Sequence, residues 1–213
     1  MFQRVPEALG EALAPLRAGI DKALCMRVGL RSGQGSVTLR SPVFADHAPI
    51  PLRYTADGEG LSPPLYWEDE PDGVEEWALI VEDADSPTPQ PFVHAIVTSV
   101  EGSVHSLDDG ALGGGDGYSN LVPLGQNSLL QTTWLPPDPP PGHGLHRYIF
   151  QIFALKGGDS APEGAGREAL RDVIERRALA SGWLVGTYER STRVDLPVRS
   201  AARITPVTPI TSA

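Results

Sequence analysis

Apolar residues in the first two dozen positions recur every three or four: Phe2, Val5, Leu9, Leu13, Leu16, Ile20 and Leu24. That spacing predicts one apolar stripe of an amphipathic helix, with Arg4, Glu7, Glu11, Arg17, Asp21 and Lys22 on its other faces. Pro6 falls in the first turns, where proline is tolerated, and Pro15 predicts a kink or a division. The pattern defines an N-terminal helical extension over 1–30, followed by Ser32-Gly33-Gln34-Gly35-Ser36, which has the composition of a flexible connector. The period then changes. Short apolar runs at 37–39, 78–81, 93–100 and 148–155 are rich in branched and aromatic residues and bounded by glycine, proline and aspartate, as strands are. A helical period returns once, over 163–180, where Leu170, Val173, Ile174 and Leu179 share a face behind Pro162 and ahead of Ser181-Gly182. Its arginines, Arg167, Arg171, Arg176 and Arg177, are offset by Glu163, Glu168, Asp172 and Glu175 and read as a solvated face.

Composition narrows this picture. With 213 residues, 40% of them hydrophobic, the chain can bury one core and is short for two. The 23 glycines and 21 prolines concentrate in the connections, which favours a mainly β architecture, an antiparallel β-sandwich over 37–196, rather than a doubly wound α/β fold. Residues 197–213 read as a loose tail. A net charge of −10 excludes a nucleic-acid footprint and repels an anionic membrane surface. Cys25 stands alone, so no internal disulfide is possible, and no run has signal-peptide or membrane-spanning length. The location expected is cytoplasmic. The N-terminal stripe is too apolar to be left in water, so a homodimer through this helix is expected, with docking onto the chain's own domain as the alternative. A membrane-surface helix is weakened by the charge-balanced polar face.

Two segments carry candidate chemistry. Asp83 and Asp85 follow the apolar run 77–81 and precede Pro87 and Pro89, which places two carboxylates on one face of an extended end. Turn capping, half of a metal site and acceptors in a polar pocket all fit that placement. In an extended 146–148, His146 and Tyr148 share a face, where they can donate to a bound oxygen, while Arg147 points away to hold a structural carboxylate. His94 interrupts an apolar strand. Alone it reads as a core histidine; with His146 and two aspartates it reads as part of a site.

These residues resemble the phosphatidylethanolamine-binding proteins, in particular the bacterial Raf kinase inhibitor-like branch. The resemblance runs from about 39 to 190. It rests on Tyr54-Thr55-Ala56-Asp57-Gly58-Glu59, Ser62-Pro63-Pro64-Leu65 with Trp67, Asp83-Ala84-Asp85-Ser86-Pro87, Phe92-Val93-His94, and Pro140-Pro141-Gly142-His143-Gly144-Leu145-His146-Arg147-Tyr148, with Leu184-Val185-Gly186-Thr187-Tyr188 at the end. It implies a sandwich of two antiparallel sheets with a small cavity for phosphate, a phosphoryl headgroup or a similar anion. That pocket would be built from Asp83, Asp85, Phe92, His94, Pro140, His146 and Tyr148, with Arg147 in support. Where the family has Gly-Tyr-Gly-Gly-Pro, this chain has Thr133-Trp134-Leu135-Pro136-Pro137, so the two adjacent glycines that let backbone approach the ligand become leucine and proline and one amide donor is lost. Gly125-Gln126-Asn127 keeps only the start of a second family pattern.

The function expected is non-enzymatic binding of an anion or phosphoryl headgroup, with regulation or inhibition of a kinase or protease as the family's known outlet. No nucleophile elbow, phosphate-cradling loop or zinc-spaced histidine pair is present in the sequence, so neither cofactor nor metal is expected. The competing reading is a metal-assisted hydrolase using Asp83, His94 and His146.

Overall fold

The computed structural model describes residues 5–28, 36–113 and 122–190. An N-terminal arm contains α1 (Glu7–Leu13), a 3₁₀ turn (Ile20–Lys22) and α2 (Leu24–Arg27). Strands β1 (Thr38–Arg40), β2 (Ala48–Pro49), β3 (Leu65–Glu68), β4 (Glu76–Asp83), β5 (Phe92–Glu101), β6 (Ser106–Leu107) and β7 (His146–Leu155) follow. Helix α3 (Arg167–Arg177) then leads into β8 (Ala178–Tyr188). The strands form a small sheet in the order β1-β3-β6 and a large sheet in the order β2-β8-β7-β4-β5. Every pairing is antiparallel except β2 with β8, which is parallel.

The period-2 alternation of β4 explains the layers. Trp77, Leu79 and Val81 face the small sheet and join Leu39, Leu65 and Trp67 in the main core, where Trp67 and Trp77 meet edge to face at 5.6 Å. Ala78 and Ile80 face the other way and are covered by Leu170, Val173 and Ile174 of α3 and by Leu24 and Val28 of the arm. Both faces of the large sheet are therefore buried. This is why β4 reads as a continuous apolar run rather than an alternating one.

The N-terminal stripe does not form one helix. Proline at 15 removes an amide and, with the turn at Gly19 (φ 101°), divides the segment into α1 and the later turns. The arm packs on its own domain: Ala18 donates to the Ser86 carbonyl at 3.0 Å and Gly19 to that of Ala84 at 2.8 Å. Leu24 is buried, whereas Leu9 and Leu16 stay exposed. Phe2, most of the connector and the tail expected at 197–213 lie outside the described residues.

The late helix is shorter than its apolar period, because the chain turns extended at Ala178 and Leu179 belongs to β8. Its arginines are not one solvated face. Arg171 is half-buried among Glu168, Asp172 and Glu175, but Arg177 is buried against Glu76, and Arg167 reaches the fully buried Glu82. The Glu82 carboxylate accepts from Arg167 Nε at 2.7 Å, Gln151 Nε2 at 2.8 Å and the Leu24 amide at 2.7 Å. Arg167 also donates to the Lys22 carbonyl, and Gln151 accepts from the Cys25 amide. One buried carboxylate thus ties arm, sheet and helix together. Burial, reinforced by that carboxylate, pushes the Cys25 thiol up to about 12, so it stays an unreactive thiol. Arg167→Met should lower stability by about 3 kcal/mol or more, because the Glu82 charge stays buried without its cation. Arg171→Met should cost under about 1 kcal/mol. Equal urea midpoints for the two variants would refute this role for Glu82.

Candidate functional site

The site lies where β4 ends and β5 and β7 begin. A cavity of about 330 Å³ is lined by Asp83, Phe92, His94 and His146 from these strands, and by Ser86, Leu129, Leu135, Pro136, Asp138 and Pro140 from the loops. Prolines at 87, 136, 139 and 140 stiffen the rim. Asn127 shapes one loop by accepting from Leu129 and Gln131 and donating to Thr133. Leu135 pairs with His94: its amide donates to the His94 carbonyl at 3.0 Å, and its carbonyl accepts from His94 Nδ1 at 2.7 Å.

That pairing decides the chemistry of His94. A carbonyl only accepts, so the hydrogen of the neutral ring sits on Nδ1 and the lone pair on Nε2. Nε2 is buried with no partner among the described residues. Burial lowers the His94 pKa from the ordinary imidazole value, against the pull of Asp83. The Tyr148 hydroxyl is likewise buried and unpartnered, with its ring edge-on to His94 at 5.1 Å. Burial and the nearby Asp83 drive its pKa well above the usual tyrosine value, so it remains a neutral donor.

Asp83 and Asp85 do not share a role. Strand β4 ends at Asp83, so the extended-chain argument stops there and the next residues form a turn. Asp83 Oδ1 caps that turn by accepting the Asp85 amide, and its Oδ2 meets His146 Nδ1 at 2.7 Å. Asp85 turns away from the cavity. Its buried carboxylate accepts from Arg147 Nε at 2.7 Å, Nη2 at 2.8 Å and the backbone amide at 2.9 Å, and pairs with Arg17 at 3.0 Å. Burial alone would raise the Asp85 pKa, but the hydrogen bonds from Arg147 and Arg17 outweigh it and hold it below the ordinary value. The seven residues named from sequence therefore divide: Asp83, Phe92, His94, Pro140 and His146 line the cavity, Tyr148 does not line it but packs edge-on against His94, and Asp85 is a structural anchor for Arg147.

Sequence reading missed His143. Its Nδ1 lies 2.7 Å from His146 Nε2, and its Nε2 donates to the Leu13 carbonyl of the arm at 3.0 Å. The signal was present in Gly142-His143-Gly144: both glycines take positive φ (78° and 91°), and the resulting turn folds the ring inward beside His146. His146 thus has both ring nitrogens engaged. Asp83, His94 and His146 are not gathered into a metal cluster, and the described residues hold no group of three or more metal-type ligands.

Arg147→Met should cost about 2 to 3 kcal/mol at neutral pH, since Arg17 remains as the only cation on a buried carboxylate. The folded-state pKa of Asp85 is depressed, so its contribution is full above the unfolded value of about 3.9 and is lost as pH falls through the lower folded value. Urea midpoints should separate parent and variant at pH 7 and converge below about pH 4. Equal midpoints at pH 7 would refute the assignment.

The fold and these motifs have counterparts. The family profile described as phosphatidylethanolamine-binding protein matches residues 40–189. A UPF0098 protein of Mycobacterium tuberculosis is 40% identical over 153 residues, 72% of this chain and 70% of its own length. Another M. tuberculosis relative, 37% identical over 153 residues (72% of each chain), carries a lipoprotein name. Among solved structures, the phosphatidylethanolamine-binding protein homologue CT736 of Chlamydia trachomatis is 33% identical with a TM-score of 0.65, covering 73% of this chain and 98% of its own. Escherichia coli YbcL shares the fold at 21% identity and a TM-score of 0.64, over 73% and 99% of the two chains. With the profile spanning most of the chain and relatives this similar, the protein belongs to the phosphatidylethanolamine-binding protein family.

Proposed function

We propose that this chain is a non-enzymatic binding module whose cavity takes a small oxyanion, such as phosphate or the phosphoryl group of a headgroup, together with one proton. The observation that carries this reading is the pair of buried, unpartnered polar atoms, His94 Nε2 and the Tyr148 hydroxyl, beside a cavity otherwise walled by proline, leucine and phenylalanine. Unsatisfied buried polar atoms cost free energy that a ligand oxygen recovers. Tyr148 donates to such an oxygen. Neutral His94 offers only a lone pair at Nε2, so the second contact needs a proton, either on His94 or on the ligand as P–OH. Asp83 on the same wall is paired with His146 and is not available as a ligand contact.

A regulatory role toward a kinase or protease is supported by the family resemblance alone. The hydrolase reading has less to stand on, since His146 has no free nitrogen for a metal. A cytoplasmic location is retained as part of the proposal, and the lipoprotein name of one relative is the reason to test it by fractionation. A homodimer is also retained, on a smaller surface: with Leu24 buried in the chain's own core, Leu9, Leu16 and Met26 remain exposed on the arm. Light scattering of the full chain giving a monomer mass would exclude it.

Binding with proton uptake fixes the sign of the pH dependence. Affinity for inorganic phosphate should rise as pH falls from 8, by up to about tenfold per unit. The rise should level off once the free ligand itself carries that proton as its monoanion, because burial keeps His94 neutral and binding then takes up no further proton. His94→Phe should abolish that rise. Calorimetric titrations at pH 8 and 5.5 check this: pH-independent affinity, or no binding at either pH, overturns the proposal.

A further inference from the structure

The N-terminal arm contacts His143 of the loop that precedes β7. The arm lies wholly outside the segment matched by the family profile, 40–189. Yet it touches the loop that carries His143 and His146 at three places. The backbone of α1 packs so closely that a Cβ at Gly10 would sit 1.8 Å from the Pro141 carbonyl oxygen, so only glycine fits. Arg17 donates to the carbonyls of Leu145 at 2.7 Å and His143 at 3.1 Å while pairing with Asp85. The Leu13 carbonyl, at the end of α1, accepts from His143 Nε2.

That last bond has consequences that run to the cavity. Leu13 presents a carbonyl, so His143 carries a hydrogen on Nε2. At 2.7 Å, one hydrogen must lie between His143 Nδ1 and His146 Nε2, and one between His146 Nδ1 and Asp83 Oδ2. Burial, His146 and Arg17 all disfavour a cationic His143, so the middle hydrogen sits on His146. The Asp83–His146 pair then carries two hydrogens and no net charge, whether as imidazolium and carboxylate or as imidazole and carboxylic acid. Without the Leu13 carbonyl, His143 is free to hold its hydrogen on Nδ1 and donate to His146 Nε2. His146 then donates only to Asp83, and the cavity wall presents an uncompensated carboxylate.

We infer that the N-terminal arm is a positioning element of the cavity: by fixing the tautomer of His143 it keeps the Asp83–His146 pair electrically neutral, and anion binding depends on its docking. This rests on the oxyanion reading for its effect on affinity, but its effect on the ring hydrogens stands apart from that reading. A negative charge restored to the wall opposes an anion directly.

The test uses the full chain with specifically ¹⁵N-labelled histidine. Two-bond ¹H–¹⁵N spectra of the parent should show hydrogens on Nε2 of both His143 and His146. In Gly10→Val, which forces α1 off the loop, the His143 hydrogen should move to Nδ1 and His146 Nε2 should become bare. Affinity for inorganic phosphate should fall by about tenfold or more. In a His143→Asn background, whose side chain ends near the Nδ1 position and cannot span to Leu13, Gly10→Val should cause no further loss. If Gly10→Val does not fold, Arg17→Met loosens the same contact and takes its place. The inference is overturned by an Nδ1 hydrogen on His143 in the parent, by tautomers that stay unchanged in the variant, or by an equal loss of phosphate binding in the His143→Asn background. Tautomers that shift as expected in a parent that binds no phosphate would refute the oxyanion reading and leave the arm's control of His143 supported.

Discussion

Three carboxylates within four residues, Glu82, Asp83 and Asp85, are buried at the end of the central strand β4, and each must be partnered or it would unfold the strand end. That constraint organises much of the molecule. Glu82 draws in Arg167 of α3, Gln151 of β7 and the Leu24 amide of the arm. Asp83 takes His146, and Asp85 takes Arg147 and Arg17. The partners arrive from sequence positions 58 to 85 residues away, so the same bonds that neutralise the strand end also close the topology around it. The cavity sits beside this cluster, which ties the start of β7 to the end of β4 in addition to the ladder that pairs the two strands.

This division of the carboxylates explains what could and could not be read from the chain. The buried strands were legible because an apolar run between prolines and glycines has few other uses, and His94 and His146 were legible as polar residues placed in such runs. The separation of Asp83 from Asp85 was not. Whether two residues share a face depends on where the strand stops, and β4 stops at Asp83. Arg167 shows the same limit on a helix: local charge balance predicts a solvated face, but a single buried acid 85 residues away claims one arginine out of four. The N-terminal stripe had helical spacing throughout, yet Pro15 and the Gly19 turn divide it, and tertiary contacts then select Leu24 for burial and leave Leu9 and Leu16 in solvent. His143 was hidden for a different reason. The two flanking glycines are visible in the chain, but their positive φ and the ring's partner in the arm are not.

The cavity's polar content is small, and this bears on how it recognises anything. Leu135 and Pro136 occupy positions where the family pattern has glycine, and both line the wall. Proline removes an amide hydrogen, and the Leu135 amide is already spent on the His94 carbonyl. Backbone donors are thus scarce at this edge, where His94 Nε2 and the Tyr148 hydroxyl are buried without a partner among the described residues. In a mostly apolar pocket a few well-placed polar atoms set orientation, and their protonation state sets which ligand form is accepted.

The same reasoning links the arm to the rest of the fold. A hydrogen bond from a buried imidazole to a carbonyl is ordinarily a packing detail, because the ring has one nitrogen left to satisfy as it pleases. Here the remaining nitrogen faces another imidazole, which faces a carboxylate, so each hydrogen position constrains the next. A chain of this kind has no independent members. Fixing its outer end at Leu13 fixes the charge at its inner end, about three side chains away, without moving any atom by more than a hydrogen position. A glycine at 10 is what lets the helix approach closely enough to do so. The arm's contribution to the site is therefore electrostatic rather than steric.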